Sequence, residues 1–238
     1  MSENFSPNGF DDPSARVMAQ AVDRGDVARA LAAARTVAGG VNAHGQNGET
    51  ALLLATDHFD VPMVAALLQA GADPNGAPDT APLHQAVKGY DMAVTKLLLK
   101  AGANPDGTMG GEPALYEAAL LGATEPAKLL LEAGAQVNLQ DEVGNTAALV
   151  AAAAEHWTMV AFLLDHGATI WSTDTGGVTI GGLADRSRLR RDSPEGQALN
   201  VVIERLKKAG FPYPPPKASE IRMLVAEKKW PPPSGKPR

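Results

Sequence analysis

The chain has 238 residues, a formal net charge of −6 and an apolar fraction of 45%, but only 5% of it is aromatic. It contains no cysteine, which excludes a disulfide framework, a thiolate metal site and a thiol nucleophile. The scarcity of aromatic residues predicts closely packed helices with a core of Ala, Leu and Val. No basic-then-apolar leader opens the chain and no apolar run reaches the roughly 18 residues needed to cross a bilayer, so we expect a cytoplasmic protein.

Charge is distributed unevenly along the chain. Residues up to Ala184 include 8 basic and 21 acidic side chains, whereas residues from Asp185 onward include 13 basic and 6 acidic ones. An acidic body attracts positively charged partners and disfavours non-specific binding of nucleic acid.

The first elements in chain order are a disordered segment and a degenerate starting unit. Residues 1–13 are rich in Ser, Asn, Asp and Pro, which predicts disorder. Residues 17–40 follow the plan of the units described next, with Gly25 after a first helix and Gly39 and Gly40 after a second. A starting cap with a polar outer face keeps a stack of repeats soluble.

A short phrase ending in Gly-Ala then occurs four times. It reads Leu-x-Ala-Gly-Ala three times and Leu164-Asp165-His166-Gly167-Ala168 the fourth time. The glycines, Gly71, Gly102, Gly134 and Gly167, are separated by 31, 32 and 33 residues. So regular a period indicates one supersecondary unit repeated along the chain and stacked on itself.

One unit, residues 81–102, shows the plan. Pro82 suits the first turn of one helix, where a missing N–H costs nothing. Asp91 is a candidate N-cap for a second helix with apolar positions at helical spacing. Gly102 ends that helix and Pro105 prevents its continuation. Each unit is therefore predicted to be two short antiparallel helices followed by an extended turn.

The end of the chain departs from this plan. The last unit starts near Thr179 and closes at Gly210, ten residues longer than the others, and we expect an arginine-rich insertion around 186–194 between its helices. A C-terminal capping helix is predicted within 213–230, and a Pro-rich tail in 231–238.

These units resemble ankyrin repeats. The family pattern opens near Thr-Pro-Leu-His-x-Ala and closes near Leu-Leu-x-x-Gly-Ala-Asp, and residues 81–86, Ala-Pro-Leu-His-Gln-Ala, match the first part. The resemblance implies an all-α ankyrin-repeat solenoid of about six helix-turn-helix units in 14–212, the first and last being degenerate caps, with the extra C-terminal helix. It also implies that His84 is structural and bonds to neighbouring turns.

One position of the repeat departs from the family pattern. The glycine that usually ends the first helix is present as Gly25 and Gly122, but Phe59, Tyr90 and Glu155 replace it in three units. These substitutions leave the geometry of the interhelical loop open.

No constellation of residues predicts catalysis. Histidines lack the spacing of a helical metal-binding pair, and the glycine-rich pieces lack the lysine and flanking strand of a phosphate loop. We therefore predict a non-enzymatic protein with no cofactor, no metal and no small-molecule substrate.

The resemblance implies that partners bind on the concave side, formed by turn tips and first-helix faces. The candidate residues there are Gln46, Asn47, Glu49, Asp57, His58, Pro78, Asp79, Lys88, Met109, Glu112, Leu120, Leu121, Glu142, Asn145 and Thr175. Large aromatic side chains are scarce in this chain and commonly anchor interfaces. Four lie near this surface: Phe59, Tyr90, Trp157 and Trp171.

The sequence favours a monomeric protein-interaction module that binds a basic protein partner and no membrane. An alternative is a dedicated inhibitor of the immunity-protein type, which neutralises a toxic or regulated enzyme. A further alternative, less favoured, is nucleic-acid binding by the basic C-terminal end.

Overall fold

A computed structural model of the chain describes residues 10–77 and 80–232. Thirteen α-helices lie in these residues, which confirms the all-α class. Their bounds are α1 Pro13–Asp23, α2 Val27–Ala34, α3 Ala51–Asp57, α4 Val61–Gln69, α5 Pro82–Lys88, α6 Met92–Lys100, α7 Ala114–Leu120, α8 Thr124–Glu132, α9 Ala147–Ala153, α10 Trp157–Asp165, α11 Ile180–Arg186, α12 Pro194–Lys208 and α13 Ala218–Ala226. A 3-10 turn spans Gly40–Asn42, and strands β1 (Thr108–Met109) and β2 (Glu112–Pro113) pair antiparallel within one turn.

Short polar side chains start the helices. The hydroxyl of Thr50 accepts a hydrogen bond from the Leu53 N–H at 3.1 Å, and Thr179 caps α11 in the same way. Helices α2, α4 and α6 begin after aspartates, and the carboxylate of Asp91 accepts from two N–H groups at 2.9 Å. Such caps satisfy backbone donors that have no partner inside the helix.

The four regularly spaced glycines end the second helices in a left-handed conformation. Their φ angles lie between +89° and +97°, and no neighbouring atom would crowd a side chain at any of them. The requirement for glycine is therefore one of backbone conformation. The register predicted from the sequence is confirmed.

The chain divides into two compact units, each of which contains several of the repeats. The first unit comprises residues 1–117 and 128–135. In this unit α3 packs between α1 and α5, and α4 packs between α2 and α6. Asparagines link successive turns: the Asn42 side chain donates to the Gly71 carbonyl at 3.0 Å and accepts from the Asp73 N–H at 2.7 Å. The core between the helices is built from small and aliphatic side chains, including Leu52, Leu53, Leu54, Met63, Leu67 and Leu98.

The segment before α1 differs from the prediction of disorder over residues 1–13. Residues 1–9 lie outside the described residues, but Phe10 is fully buried. The Arg16 guanidinium donates to the Phe10 carbonyl at 2.9 and 3.2 Å, and Asp12 caps α1. The predicted boundary at residue 13 is therefore too late, because Phe10 already belongs to the core of the first unit.

The second unit comprises residues 118–127 and 136–238. Here α9 packs against α10 and α11, and α12 packs against α10 and α11. Asn138 repeats the asparagine link, donating to the Gly167 carbonyl at 3.0 Å and accepting from the Thr169 N–H at 2.8 Å. The repeated bond shows that successive turns of this unit stack in one register.

The extra length of the last helix pair has two parts. The link between α11 and α12 has seven residues, where the link between α9 and α10 has three. Helix α12 also has 15 residues, where α10 has 9. The predicted insertion is therefore present, but most of the added length lengthens the second helix.

Helix α13 occupies only part of the predicted segment 213–230, because prolines at 214–216 precede it. It is held by Ile221, which is fully buried, and by a cluster of three aromatic rings. Trp230 donates its indole N–H to the Trp171 carbonyl at 3.0 Å, and its ring lies edge-on to Trp171 and Phe211 at 5.5 and 5.6 Å between ring centroids.

We expect the substitution Trp230→Ala to loosen α13 locally, because the aromatic cluster holds the end of this helix while Ile221 and the hydrogen bond from Arg222 to the Gly176 carbonyl hold its middle. Tryptic cleavage after Arg222 should become at least tenfold faster, on the order of 1.4 kcal/mol in the local opening equilibrium. The control is Val201→Ala, which removes an exposed side chain of α12. An unchanged cleavage rate would show that the aromatic cluster does not hold α13.

Candidate functional site

The loops between paired helices turn through one left-handed residue. In the first unit this residue is Gly25, Phe59 or Tyr90, with φ of +69°, +53° and +57°. In the second unit it is Gly122 or Glu155, with φ of +64° and +63°. A residue with a side chain costs roughly 1–2 kcal/mol in this conformation, whereas glycine is relaxed. All five loops therefore keep the same left-handed turn, and the turn strains the backbone at Phe59, Tyr90 and Glu155.

Glu155 has an evident structural reason to occupy its position. Its carboxylate accepts a hydrogen bond from the Trp157 indole N–H at 2.8 Å and another from the Ser187 hydroxyl at 2.6 Å. These charge-assisted bonds join two successive repeats of the second unit and offset the backbone strain.

Phe59 has a partial structural reason. Its ring covers the backbone of Gly89 on the next loop, where a Cβ would overlap the ring. The side chain nevertheless stays 40% exposed. Glycine at 89 is therefore required by the close approach of Phe59, and the ring still presents a face to solvent.

Tyr90 directly follows Gly89 and is the most exposed of the three, at 52%. Its hydroxyl makes no hydrogen bond to any residue that the structure describes. We call Phe59 and Tyr90, which lie on neighbouring loops, the aromatic ridge. Backbone strain that no contact within the fold offsets is commonly found at functional sites.

The residues beside the aromatic ridge are mostly acidic or bonded to acidic groups. Asp57 accepts a hydrogen bond from the Gln85 amide, and His58 lies 3.8 Å from the Asp23 carboxylate. Burial raises the pKa of Glu117, and the nearby charge of Lys88 opposes that shift. The whole first unit contains 15 acidic and 8 basic residues.

The turn tips lie at the opposite ends of the first helices. Gln46 donates to Asp11 at 2.7 Å, and Met109 pairs with Glu112 in the β1–β2 hairpin. A seven-residue helix is about 10 Å long, so the structure does not bring these tips together with the aromatic ridge. The predicted binding residues therefore form separate groups.

Several predicted residues are exposed as expected. In the first unit they are Gln46, Asn47, His58, Phe59, Lys88, Tyr90 and Glu112; in the second unit they are Leu120, Leu121, Glu142 and Thr175. Asp57, Met109 and Asn145 are half-buried, and Asn145 donates to Asp141 at 2.9 Å. Pro78 and Asp79 lie outside the described residues.

Three predicted contact residues serve the fold. Glu49 is buried and its carboxylate accepts from the backbone and side chain of Asn47, both at 3.1 Å. Trp157 is fully buried at the start of α10. Trp171 stacks on Phe211 with 5.1 Å between ring centroids. These tryptophans were predicted as contacts because large aromatic side chains are scarce in the chain, and the sequence does not show that they pack inside the fold.

His84 is buried as the family resemblance implies, at 4% exposure, but its bonding differs from that expectation. Neither ring nitrogen makes a hydrogen bond to a residue that the structure describes. Burial, aided by the charge of Lys88, lowers the pKa of His84 to about 4. The ring is therefore neutral at pH 7 and acts as a packed core side chain.

No group of three or more His, Asp or Glu side chains in 10–77 and 80–232 is arranged to hold a metal ion. Among the helices of these two ranges, none has both the length and the apolar character that crossing a bilayer requires.

Comparison with known proteins agrees with the repeat geometry. The family model described as ankyrin repeats (3 copies) matches residues 83–174, and the model of a single ankyrin repeat matches residues 47–80. The chain belongs to the ankyrin repeat family. Ankyrin repeats are in general protein–protein interaction modules without enzymatic activity.

Two relatives show the extent of the similarity. An ankyrin repeat-containing protein of Treponema pallidum (strain Nichols) is 38% identical over 71 residues, which cover 30% of this chain and 24% of that protein. The chain thus spans about a quarter of that relative's length. The crystal structure of an ankyrin repeat domain from Acinetobacter baumannii AYE is 27% identical, with a TM-score of 0.66, over 77% of this chain and 96% of that one.

Replacing Tyr90 with glycine should stabilise the protein, because it relieves left-handed strain and removes a side chain that is half exposed. We expect the free energy of unfolding to rise by about 0.5–1 kcal/mol in urea titrations. Glu155→Gly is the matched control, and it should lower stability because Trp157 and Ser187 lose their acceptor. A loss of stability in Tyr90→Gly would mean that the side chain supports the fold.

His84 should make the protein sensitive to acid. Its pKa is about 4 in the folded state against 6.5 in the unfolded state, so the unfolded chain binds the proton first. Stability is therefore full above pH 6.5 and falls as the pH drops toward 4, by as much as about 3 kcal/mol. In urea unfolding between pH 7 and pH 5, His84→Leu should remove most of this slope. A slope unchanged in that variant would assign it to other groups.

Proposed function

We propose that this ankyrin repeat protein binds a basic protein partner through the aromatic ridge and the charged residues beside it. One observation carries the proposal: Phe59 and Tyr90 stay exposed in a conformation that glycine would occupy without strain. Glu155, in the same conformation, is accounted for by its hydrogen bonds. Tyr90 has no such account among the described residues, so a role outside the fold explains it best.

The chemistry of the aromatic ridge suits an interface anchor. A few aromatic side chains commonly supply most of the binding energy of an interface. The backbone already fixes the loops from which both rings project, which lowers part of the entropy lost on binding. Phe59 is further fixed by its contact with Gly89.

The charge of the first unit supports a basic partner. Acidic residues outnumber basic ones by 15 to 8 in this unit, and Asp57 adjoins the aromatic ridge. A negative surface speeds the encounter with a cationic partner and selects against acidic ones. A lysine or arginine of the partner would also gain from contact with the faces of Tyr90 and Phe59.

The turn tips of the first unit form a separate group, about 10 Å from the aromatic ridge along the first helices, which only a partner long enough to span both groups would contact. Gln46, Asn47, Glu112 and the half-buried Met109 belong to the first unit and offer polar contacts. Residues predicted in the second unit, such as Leu120 and Leu121, are exposed there. Cytoplasmic location and a monomeric state stay predictions from the sequence.

The test compares partner binding by variants that keep the fold. A partner captured with the wild-type chain is titrated against Tyr90→Gly and against the double variant Phe59→Gly/Tyr90→Gly. We expect the double variant to bind at least about 30-fold more weakly, which corresponds to about 2 kcal/mol. Glycine relaxes both loops, but Phe59→Gly also removes the packing of the ring on Gly89, so circular dichroism of each variant checks that it is folded.

Val143→Ala is the control, since it truncates an exposed apolar side chain in the second unit. It should leave the Kd within twofold of wild type. A double variant that binds the partner as tightly as wild type would refute the proposal. If the captured partner is one enzyme, inhibited in proportion to the bound chain, the module is an inhibitor of the immunity-protein type.

A further inference from the structure

The link between α11 and α12 concentrates positive charge on the second unit. Arg186, Arg188, Arg190 and Arg191 lie within six residues, and all four are exposed. We call residues 186–193 the arginine loop. Neither the aromatic ridge nor the turn tips include any part of it.

The arginine loop is held in place by its own contacts. Ser187 donates to the Glu155 carboxylate at 2.6 Å, and the Ser193 hydroxyl donates to the Arg190 carbonyl at 2.6 Å. A Cβ at Gly196 would overlap that same carbonyl, so the loop lies directly on the first turn of α12. The arginines therefore project from a fixed backbone, which reduces the entropy lost when they bind.

The guanidinium groups keep much of their hydrogen-bonding capacity. Arg188 makes no hydrogen bond or ion pair with any residue in the described part of the chain. Arg186 donates through Nε to the Gly182 carbonyl at 3.0 Å, and Arg191 donates to Asn200 at 3.3 Å. Arg190 is paired with Asp192 at 2.6 Å. Arg188, Arg186 and Arg191 thus retain free donors for carboxylates.

Neighbouring acidic groups only partly balance this charge. Asp185 precedes the loop, Asp192 lies within it and is paired with Arg190, and the Glu195 carboxylate accepts from the Thr158 N–H at 2.8 Å. From Asp185 to Lys217 the chain contains eight basic and four acidic residues. The local surface is therefore positive although the whole chain is negative.

We propose that the arginine loop is a second interaction surface, which docks an acidic segment of a protein. Arginine forks pair with carboxylates in two-point hydrogen bonds, and a fixed loop presents several of them at once. The arginine loop is positive and the first unit is negative. The loop therefore recognises a different partner segment from the one that binds the aromatic ridge.

The surrounding charge favours an acidic peptide over nucleic acid. Residues 118–127 and 136–184 of the second unit contain six acidic residues and no lysine or arginine. A long polyanion reaching from the loop towards Glu155, which binds Ser187 of the loop, would meet negative charge, and repulsion acts over a Debye length of about 8–10 Å. A short acidic segment contacts the loop alone.

The test measures fluorescence anisotropy of two labelled probes, a twelve-residue polyglutamate peptide and a twelve-nucleotide polyuridine RNA, in 50 mM NaCl. We expect the wild-type chain to bind the peptide more tightly than the RNA. The double variant Arg188→Glu/Arg191→Glu should weaken peptide binding at least tenfold. The matched control, Arg24→Glu/Arg29→Glu, reverses two exposed arginines of the first unit and should stay within threefold of wild type.

Three results would overturn the proposal: no peptide binding by the wild-type chain, tighter binding of the RNA, or equal peptide binding by the wild-type and the reversed-loop variant. If the reversed-loop variant fails to fold, as judged by circular dichroism, Arg188→Gln/Arg191→Gln replaces it, with an expected loss of at least threefold. Because the aromatic ridge is intact in these variants, binding of the basic partner is measured in parallel and reports on the earlier proposal separately.

Discussion

Each helix pair in this protein is too small to bury its own apolar side, and this constraint governs the rest of the structure. Most first helices have seven residues and are filled with Ala and Leu, so only the neighbouring pair can cover them. Within each of the two units, successive repeats stack in one register. Hydrogen bonds from asparagine side chains, such as Asn42 to Gly71 and Asn138 to Gly167, link their turns. Burial and register together fix which residues are left facing solvent.

The left-handed residue between paired helices shows how this register constrains single side chains. The chain must turn sharply there to return the second helix onto the first. Glycine does so without strain, and Glu155 does so because two hydrogen bonds compensate. Tyr90 turns in the same way without such bonds among the described residues. The contrast between Glu155 and Tyr90, which share one backbone conformation, is the reason we propose a binding role for Tyr90.

The two proposed surfaces follow from how charge is placed on this scaffold. The stacked repeats bury mainly apolar side chains, and among the charged residues of the described chain only Glu49 is buried, so the other charged side chains are available for binding. In the first unit acidic residues surround an apolar anchor. In the second unit the inserted loop adds arginines to a helix pair whose second helix is also longer, and its backbone is tied to Glu155 and to α12. Insertions between elements are the least costly changes to a repeat.

The sequence by itself determined the repeat, its glycines and caps, and the separation of acidic and basic regions, because these depend on local backbone chemistry and on composition. It also placed Phe59 and Tyr90 at the interhelical turns. Tertiary structure alone decided exposure: Trp157 and Glu49 are buried, whereas Tyr90 faces solvent. Whether an aromatic side chain is buried or exposed depends on which residues of the neighbouring repeat pack against it. The local sequence around the aromatic residue does not specify those residues.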